Sequence, residues 1–286
     1  MHSIDTATRL CAVIGNPVEH SLSPAIHNAA FAARNLNFIY VAFRVEDVGA
    51  ALAGMRALEN FRGMSITIPH KIAAIGHVDE IADLDRAMGA INTVVNEKGR
   101  LTGSNTDGPG ALKALENAGV NMAGKTVLML GAGGVARAIA FTLVWQAGIA
   151  ELIVLDINNV LLDQLSSDLK NRTSATITAT GFEGNALAHA MARADIVIHC
   201  TPVGMHPKTE ASLVPPDLFR PGQAVFDVVY NPLETKLLTE AAAFGLKTVS
   251  GVELFVNQAV LQFEKFTGET GPTDVMRRVV MEHLKS

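Results

Sequence analysis

Short apolar runs alternate with longer amphipathic stretches along nearly the whole chain. Residues 12–15, 40–45 and 64–68 are apolar-rich runs of strand length. Residues 23–36 and 47–58 lie between them with apolar positions at helical spacing. Ser23 and Pro24 mark a helix start, the serine as cap and the proline in the first helical position. The run 64–68 stops at Pro69, where a short helix is expected. Residues 90–96 and 101–104 flank Glu97-Lys98-Gly99-Arg100 and predict a hairpin. A helix is expected over 107–118, with Asp107 suited to cap it. From there apolar strands recur at 125–130, 151–156, 195–200, 224–229 and 247–249, each after a helical or loop crossover. Two helical stretches, 253–267 and 273–284, close the chain. This alternation predicts an α/β fold with a doubly wound parallel sheet. No repeat, low-complexity tract or linker interrupts it, so a domain boundary is expected near residues 105–110.

One junction in this pattern carries chemistry. The strand at 125–130 runs straight into Gly131-Ala132-Gly133-Gly134-Val135-Ala136, and a helix-forming run follows. The next strand ends on a carboxylate, Asp156. A dinucleotide-binding βαβ unit requires this order. Gly131 allows the tight turn, Gly133 allows backbone to approach a pyrophosphate, and the small Ala136 lets helix pack on strand. The pyrophosphate would sit on the helix N-terminus, where free N–H groups favour an anion. Asp156 would accept from the ribose hydroxyls.

Composition narrows the class. The chain has 286 residues, 49% hydrophobic and 18% charged, enough for two domains with large cores. A formal charge of −5 gives no general attraction for nucleic acid or an anionic membrane. Cys11 and Cys200 lie in apolar runs without metal-ligand spacing, as expected of reduced core thiols in a cytoplasmic protein. No positively charged segment followed by an apolar one opens the sequence, so a secretory signal is not expected. The longest apolar stretch, 138–155, is broken by Gln146, Gly148 and Glu151 and reads as helix, turn and strand rather than a membrane span.

Several loops after apolar strands are rich in polar groups: Gly15-Asn-Pro-Val-Glu-His20-Ser21-Leu-Ser23-Pro24, Thr67-Ile-Pro69-His70-Lys71, Gly89-Ala-Ile-Asn92-Thr93 and Gly103-Ser-Asn105-Thr106-Asp107-Gly108. Ligands of open α/β sheets bind at the carboxyl ends of strands. Together with Gly131-Ala-Gly-Gly134, Thr201-Pro-Val-Gly204-Met205, Asp227-Val-Val-Tyr230-Asn-Pro232 with Thr235, and Gly251 to Gln258, these pieces resemble the quinate/shikimate dehydrogenase family, in family order over nearly the whole chain. The resemblance implies two α/β domains around a cleft. Residues 1–106, joined by the C-terminal helices 255–286, would bind substrate, and residues 107–254 would form the Rossmann-type cofactor domain. It also implies reversible hydride transfer between the C3 hydroxyl of a shikimate-like hydroxy-cyclohexene carboxylate and a nicotinamide. A monomer or homodimer acting on a small molecule, with no nucleic-acid or membrane partner, is expected.

The resemblance also implies roles. Lys71 would move the hydroxyl proton, with Asp107 as its dyad partner. Ser21 and Ser23 would hold the carboxylate, with Tyr230 near it. Thr67, Asn92 and Gln258 would contact ring hydroxyls. Gly131, Ala132, Gly133, Gly134, Val135, Asp156, Thr201, Val228 and Gly251 would form the cofactor site. His20 and His70 lack paired ligand spacing, so no metal is expected and each reads as a packed or surface histidine.

Cofactor choice turns on Asp156. NADP-using members commonly carry an arginine at this strand tip. Here Asp156-Ile-Asn-Asn159 has no Arg or Lys before Lys170, and Asn171-Arg172-Thr173 comes too late, past a helix. A carboxylate accepts from a free 2′-hydroxyl and repels a phosphate. NAD is therefore expected, with NADP as the alternative. Three places depart from the common family pattern: Ser65 for Asn, His199-Cys200 for Asn-Ala, and Glu253-Leu-Phe for a Gly-Met-Leu-like segment. Quinate or an amino-substituted shikimate stays open as substrate. A ligand sensor that lost its chemistry is the non-enzyme alternative, against which both Lys71 and Asp107 stand.

Overall fold

The computed structural model describes residues 4–170 and 172–285. Residues 1–3, which open the N-terminal segment considered above for targeting, lie outside the described residues, as do Asn171 and Ser286. The chain divides into two compact units: residues up to Thr106 together with those from Val256 onward, and Asp107–Phe255.

The first unit begins with β1 (Arg9–Gly15), α1 (Ser23–Ala33), β2 (Phe38–Arg44), α2 (Val48–Ala57) and β3 (Phe61–Ile66). Then come the short edge strand β4 (Glu80–Ile81), α3 (Asp83–Met88) and the hairpin of β5 (Thr93–Glu97) and β6 (Arg100–Ser104). Their sheet has the order β2-β1-β3-β5-β6-β4. It is mixed. β1 runs parallel to β2 and β3, whereas β5 is antiparallel to β3 and to β6. The hairpin turn places Lys98 and Gly99 at φ +53° and +86°, the two positive φ values of a type I′ turn. β1 starts three residues earlier than the apolar pattern suggests, because Arg9 and Leu10 pair with Phe38 and Ile39 despite their partial exposure. Ile14, Leu52, Ile66 and Ile91 sit in the core on one face of this sheet.

Two expectations about α1 need correction. It ends at Ala33, not residue 36, and Asn35 takes a left-handed φ of +54° just beyond it, as residues following helix ends often do. Ser23 is not the cap. Leu22 precedes the helix in αR conformation with no side-chain cap, and Ser23 is the first helical residue. Its hydroxyl is therefore not spent on the helix end.

The second unit runs α4 (Asp107–Asn117), β7 (Thr126–Leu130), α5 (Gly134–Gln146), β8 (Glu151–Leu155), α6 (Asn159–Lys170), β9 (Thr176–Thr180), α7 (Ala186–Arg193), β10 (Ile196–His199), β11 (Ala224–Asp227), α8 (Lys236–Ala243) and β12 (Lys247–Val249). All six strands are parallel, in the order β12-β11-β10-β7-β8-β9. Read from β9, this is the doubly wound order 3-2-1-4-5-6, whose switch point lies between β7 and β10. Leu128, Leu130, Ile153, Val197 and Val225 are buried within a cluster that includes Met191 and Leu237 from the helices. Strands buried on both faces read as continuous apolar runs, which is why β7, β8 and β10 were legible. β9 is a polar-spaced edge strand and was not. Gly108 fits α4 against α5: a Cβ there would lie 2.0 Å from Thr142 Oγ1 and 2.6 Å from the Ala138 carbonyl oxygen.

α9 (Gly251–Thr267) starts two residues before the expected boundary and carries the chain back to the first unit, where α10 (Thr273–Lys285) ends it. Among the described residues, no helix is long and apolar enough to cross a membrane.

Candidate active site

In the first unit, backbone hydrogen bonds gather the polar loops at the carboxyl end of β1 and β3. Thr67 N–H donates to the Ile14 carbonyl at 2.9 Å, and Asn16 N–H to the Ile68 carbonyl at 3.0 Å. Ile66 N–H donates to Asn92 at 2.7 Å, Ile91 N–H to the Lys71 carbonyl at 2.9 Å, and Asn92 N–H to Ser104 at 3.0 Å. The Thr67 and Asn92 segments, Lys71 and the end of the hairpin are thus knitted side by side. Gly15 makes the junction possible, since a Cβ there would meet the Thr67 methyl at 2.4 Å. His70 is nearly buried and its Nε2 bonds the Val45 carbonyl at 2.7 Å, which is the structural role expected of it.

Ser21 and Ser23 form the neighbouring rim. Ser23 N–H donates to Ser21 Oγ at 3.3 Å. Ser21 and Thr67 are half-buried, Ser23 is buried, and Lys71 is half-buried. Asn92 is buried and satisfied from several sides. Its Oδ1 accepts from Thr106 N–H at 2.9 Å and from the Thr93 hydroxyl at 2.7 Å, while its Nδ2 donates to Thr106 Oγ1 at 3.0 Å. Asn92 therefore holds the Asn105-Thr106 segment in place, a structural task added to any ligand contact.

Behind this rim runs a buried polar chain that the sequence did not reveal. The Tyr40 hydroxyl donates to Ser65 Oγ at 2.6 Å, and Ser65 donates to Gln262 Oε1 at 2.7 Å. Gln262 Nε2 then donates to Thr93 Oγ1 at 3.1 Å. Ser65, one of the departures from the family pattern, is thus the link between a core tyrosine and α9. Gln258 lies one helical turn before Gln262 and is also buried. Two glutamines at i and i+4, on one face of the helix, were the available signal. His27 stacks on Tyr40, ring centroids 4.4 Å apart, and burial pushes its pKa down to about 3, so it is a neutral packing group. Burial pushes the Tyr40 phenol well above its ordinary range, so it acts as a fixed hydroxyl donor.

The second unit carries Asp107, the first residue of α4 and buried, and the glycine turn. Gly131 has φ +109° and packs against the next loop: a Cβ would lie 2.9 Å from the Cys200 carbonyl oxygen. Gly133 and Gly134 behave differently. A Cβ at either would meet nothing within 4 Å. Packing does not require glycine there, and the space above the N-terminus of α5 is open. That is the fit a diphosphate needs, since Cβ atoms at these positions would fill the space that free N–H groups face. Val135 opens the first turn of the helix and Ala136 is fully buried against the sheet.

Asp156 closes this site from the tip of β8. Its carboxylate accepts from Ala132 N–H at 2.5 Å and from Asn158 N–H at 2.7 Å. Each oxygen keeps a further lone pair for a ribose hydroxyl. Ile157 beside it is 87% exposed. Arg137 on α5 is tied to Asp168 at 2.6 Å and lies over the Phe141 ring. Across the switch point are Thr201 and Val228, both half-buried. A Cβ on Gly251 would lie 2.4 Å from the Val228 carbonyl oxygen, so glycine lets α9 start against that strand end. Tyr230 stacks on Phe255 at 5.2 Å, and partial burial raises its pKa. It belongs with the second unit, whereas Ser21 and Ser23 belong with the first. No cluster of His, Cys, Asp or Glu suited to a metal occurs among the described residues.

Comparison with known proteins matches both ends of the chain. The family described as "Shikimate dehydrogenase substrate binding domain" matches residues 13–94, and "Shikimate 5'-dehydrogenase C-terminal domain" matches residues 251–281. A shikimate dehydrogenase (NADP(+)) of Moorella thermoacetica is 43% identical over 286 residues, covering 99% of this chain and 96% of the relative. The chain belongs to the shikimate dehydrogenase family. With that family it is an oxidoreductase acting on an alcohol. Shikimate 5-dehydrogenase from Listeria monocytogenes, solved with shikimate and NAD, superposes with a TM-score of 0.92 at 33% identity, covering 98% of this chain and 99% of that one. Quinate dehydrogenase from Corynebacterium glutamicum, solved with NAD, gives 0.89 at 31% identity, covering 96% and 99%. The first unit thus carries hydroxyls, amides and a lysine, and the second a glycine turn and an acidic strand tip.

Proposed function

We propose that this enzyme is an NAD-preferring shikimate dehydrogenase that interconverts shikimate and 3-dehydroshikimate. The observation that carries the cofactor preference is the tip of β8. Asp156 is acidic, Ile157 to Leu169 contain no Arg or Lys, and Arg137 is engaged with Asp168. Relatives named for NADP and neighbours solved with NAD both occur in the family, so the choice rests on these residues.

When bound, the dinucleotide supplies the hydride acceptor at C3 of the substrate. The open space over Gly133 and Gly134 takes its diphosphate, and Thr201, Val228 and Gly251 line its nicotinamide end. Asp156 accepts from the adenosine ribose. Ser21 and Ser23 donate to the substrate carboxylate, assisted by Tyr230. The Ser23 hydroxyl is not taken up by capping the helix, because Leu22, not Ser23, precedes it. Thr67, Asn92 and Gln258 orient the ring hydroxyls. Lys71 takes the C3 hydroxyl proton as hydride leaves, and Asp107 holds the lysine and the same hydroxyl. The free thiols Cys11 and Cys200 suit a reducing cytoplasm.

Quinate is the second substrate to consider, favoured by the likeness to an NAD-bound quinate dehydrogenase. Quinate adds a C1 hydroxyl beside the carboxylate. Quinate-accepting relatives often carry threonine where this chain has Ser23, so shikimate is the better match. Steady-state kinetics with shikimate and quinate, each with NAD and NADP, test the proposal. Shikimate with NAD should lead, with quinate lower by at least ~10-fold, since an added hydroxyl is rejected only to about 10²-fold. Equal or better turnover of quinate would overturn the substrate assignment.

A further inference from the structure

The second unit contains a buried histidine–aspartate pair that the proposed mechanism does not use. His199, the last residue of β10, is 1% exposed and Asp227, the last of β11, is 0% exposed. His199 Nδ1 lies 2.9 Å from Asp227 Oδ1, and Nε2 lies 2.5 Å from Thr201 Oγ1. Asp227 also accepts from Val229 N–H at 3.0 Å and from the Thr235 hydroxyl at 2.6 Å. A carboxylate is acceptor-only, so the ring nitrogen facing it carries a proton. In the neutral ring Nε2 is then an acceptor, and the Thr201 hydroxyl donates to it. Thr201 Oγ1 in turn accepts from Val203 N–H at 3.2 Å. The Thr201 side chain is held from two sides with its hydroxyl turned inward. Its methyl is consequently turned toward Gly131, where a Cβ built on that glycine would lie 3.1 Å from it.

The line Asp227–His199–Thr201–Gly131 therefore ties the ends of β11, β10 and β7 together at the switch point of the sheet. His199 stands where similar sequences commonly carry Asn. An amide side chain could bond Asp227 or Thr201, but it is too short to span both as the ring does. We propose that His199 is a positioning residue for the dinucleotide: by locking the Thr201 rotamer it sets the surface beside the glycine turn on which the cofactor rests. This rests on the cofactor-site assignment proposed above. His199 contacts no ligand itself and acts through Thr201.

The test uses the full-length enzyme and NADH binding followed by nucleotide fluorescence, with steady-state kinetics alongside. His199→Asn keeps an N–H donor for Asp227 but loses the bond to Thr201. Thr201→Val keeps the shape and the His199–Asp227 pair but loses the hydroxyl. Each should weaken NADH binding and raise the cofactor KM by about tenfold, the scale of one lost hydrogen bond in a fixed site. For His199→Asn, which touches no ligand, the KM for the hydroxy-acid substrate and kcat at saturation should stay within about threefold, a split that general destabilisation would not give. Because both changes cut one link, the double variant should lose no more than either single one. Losses that multiply, or NADH binding within about twofold of the parent in Thr201→Val, would overturn the proposal. Should His199→Asn fail to fold, Thr201→Val alone decides it. Gly133→Asp, which projects a carboxylate into the open space of the turn, separates the two levels. If it abolishes NADH binding while Thr201→Val does nothing, only the role of His199 falls. If it too leaves binding intact, the cofactor site itself is misplaced and the proposal falls with it.

Discussion

Replacing Ile157 by Arg tests the cofactor preference with little cost to the fold. Ile157 is 87% exposed, so no core contact is lost. The adjacent Asp156 carboxylate stays fixed by Ala132 and Asn158 N–H groups. A 2′-phosphate bears about −1.5 charges at neutral pH. At roughly 5 Å from one carboxylate charge, Coulomb repulsion is about 1 to 2.5 kcal/mol for an effective dielectric of about 80 to 40. That corresponds to roughly 8- to 70-fold in kcat/KM. The parent enzyme should therefore favour NAD over NADP by about tenfold or more, with the lost ribose bond adding to the repulsion. An arginine at 157 adds a donor fork suited to phosphate. It should raise kcat/KM for NADP by about tenfold and leave NAD within about threefold. Asp156→Asn together with Ile157→Arg should invert the preference. The assay is initial-rate kinetics with saturating shikimate, repeated at low and high salt. The NAD/NADP ratio should shrink as salt rises, because the Debye length falls from about 10 Å at 0.1 M to about 3 Å at 1 M. A parental preference for NADP, or a ratio insensitive to Ile157→Arg, would show that the β8 tip does not face the ribose.

Lys71→Ala should lower kcat by about 10² or more with a far smaller rise in KM, because proton transfer is needed mainly in the transition state; near-parental kcat in the purified, folded variant would remove Lys71 from the dyad. Asp85 is buried and its pKa is raised by desolvation from 3.8 to about 6, against a backbone hydrogen bond from Asn105 and the charge of Lys265. The folded state thus binds this proton more tightly than the unfolded chain, so ionisation costs stability: the cost is absent below pH ~4, grows between ~4 and ~6, and is full above, at about 3 kcal/mol. Asp85→Asn should accordingly raise the Tm at pH 8 and lose that advantage near pH 4, and a gain equal at both pH values would contradict this origin. Gly108→Ala should destabilise by about 1 to 3 kcal/mol in urea unfolding, because its Cβ meets the Ala138 carbonyl oxygen as well as Thr142; unchanged stability would mean that α4 and α5 can separate freely.

Much of this architecture is local, and local order is what sequence encodes most directly. The strand, glycine turn and helix at 126–146 follow from an apolar run buried on both faces and from glycines that tolerate unusual backbone. The hairpin follows from Lys98-Gly99 between two apolar runs. The polar loops at 15–24, 67–71, 89–93 and 103–108 stood out because each adjoins an apolar strand. Tertiary structure alone decided the rest. β4 and β9 are edge strands with few buried side chains, so only their pairing with β6 and β8 makes them strands. The antiparallel entry of β5 between β3 and β6 depends on register across the sheet, not on composition. Ser23 reads as a cap in sequence, but the chain reaches αR one residue earlier, which changes what its hydroxyl is for. Ser65 reaches Gln262 across 197 residues, and His199 reaches Asp227 across 28. A side chain's chemistry is written in the sequence, but its hydrogen-bond partner is whichever group the packed chain brings within about 3 Å.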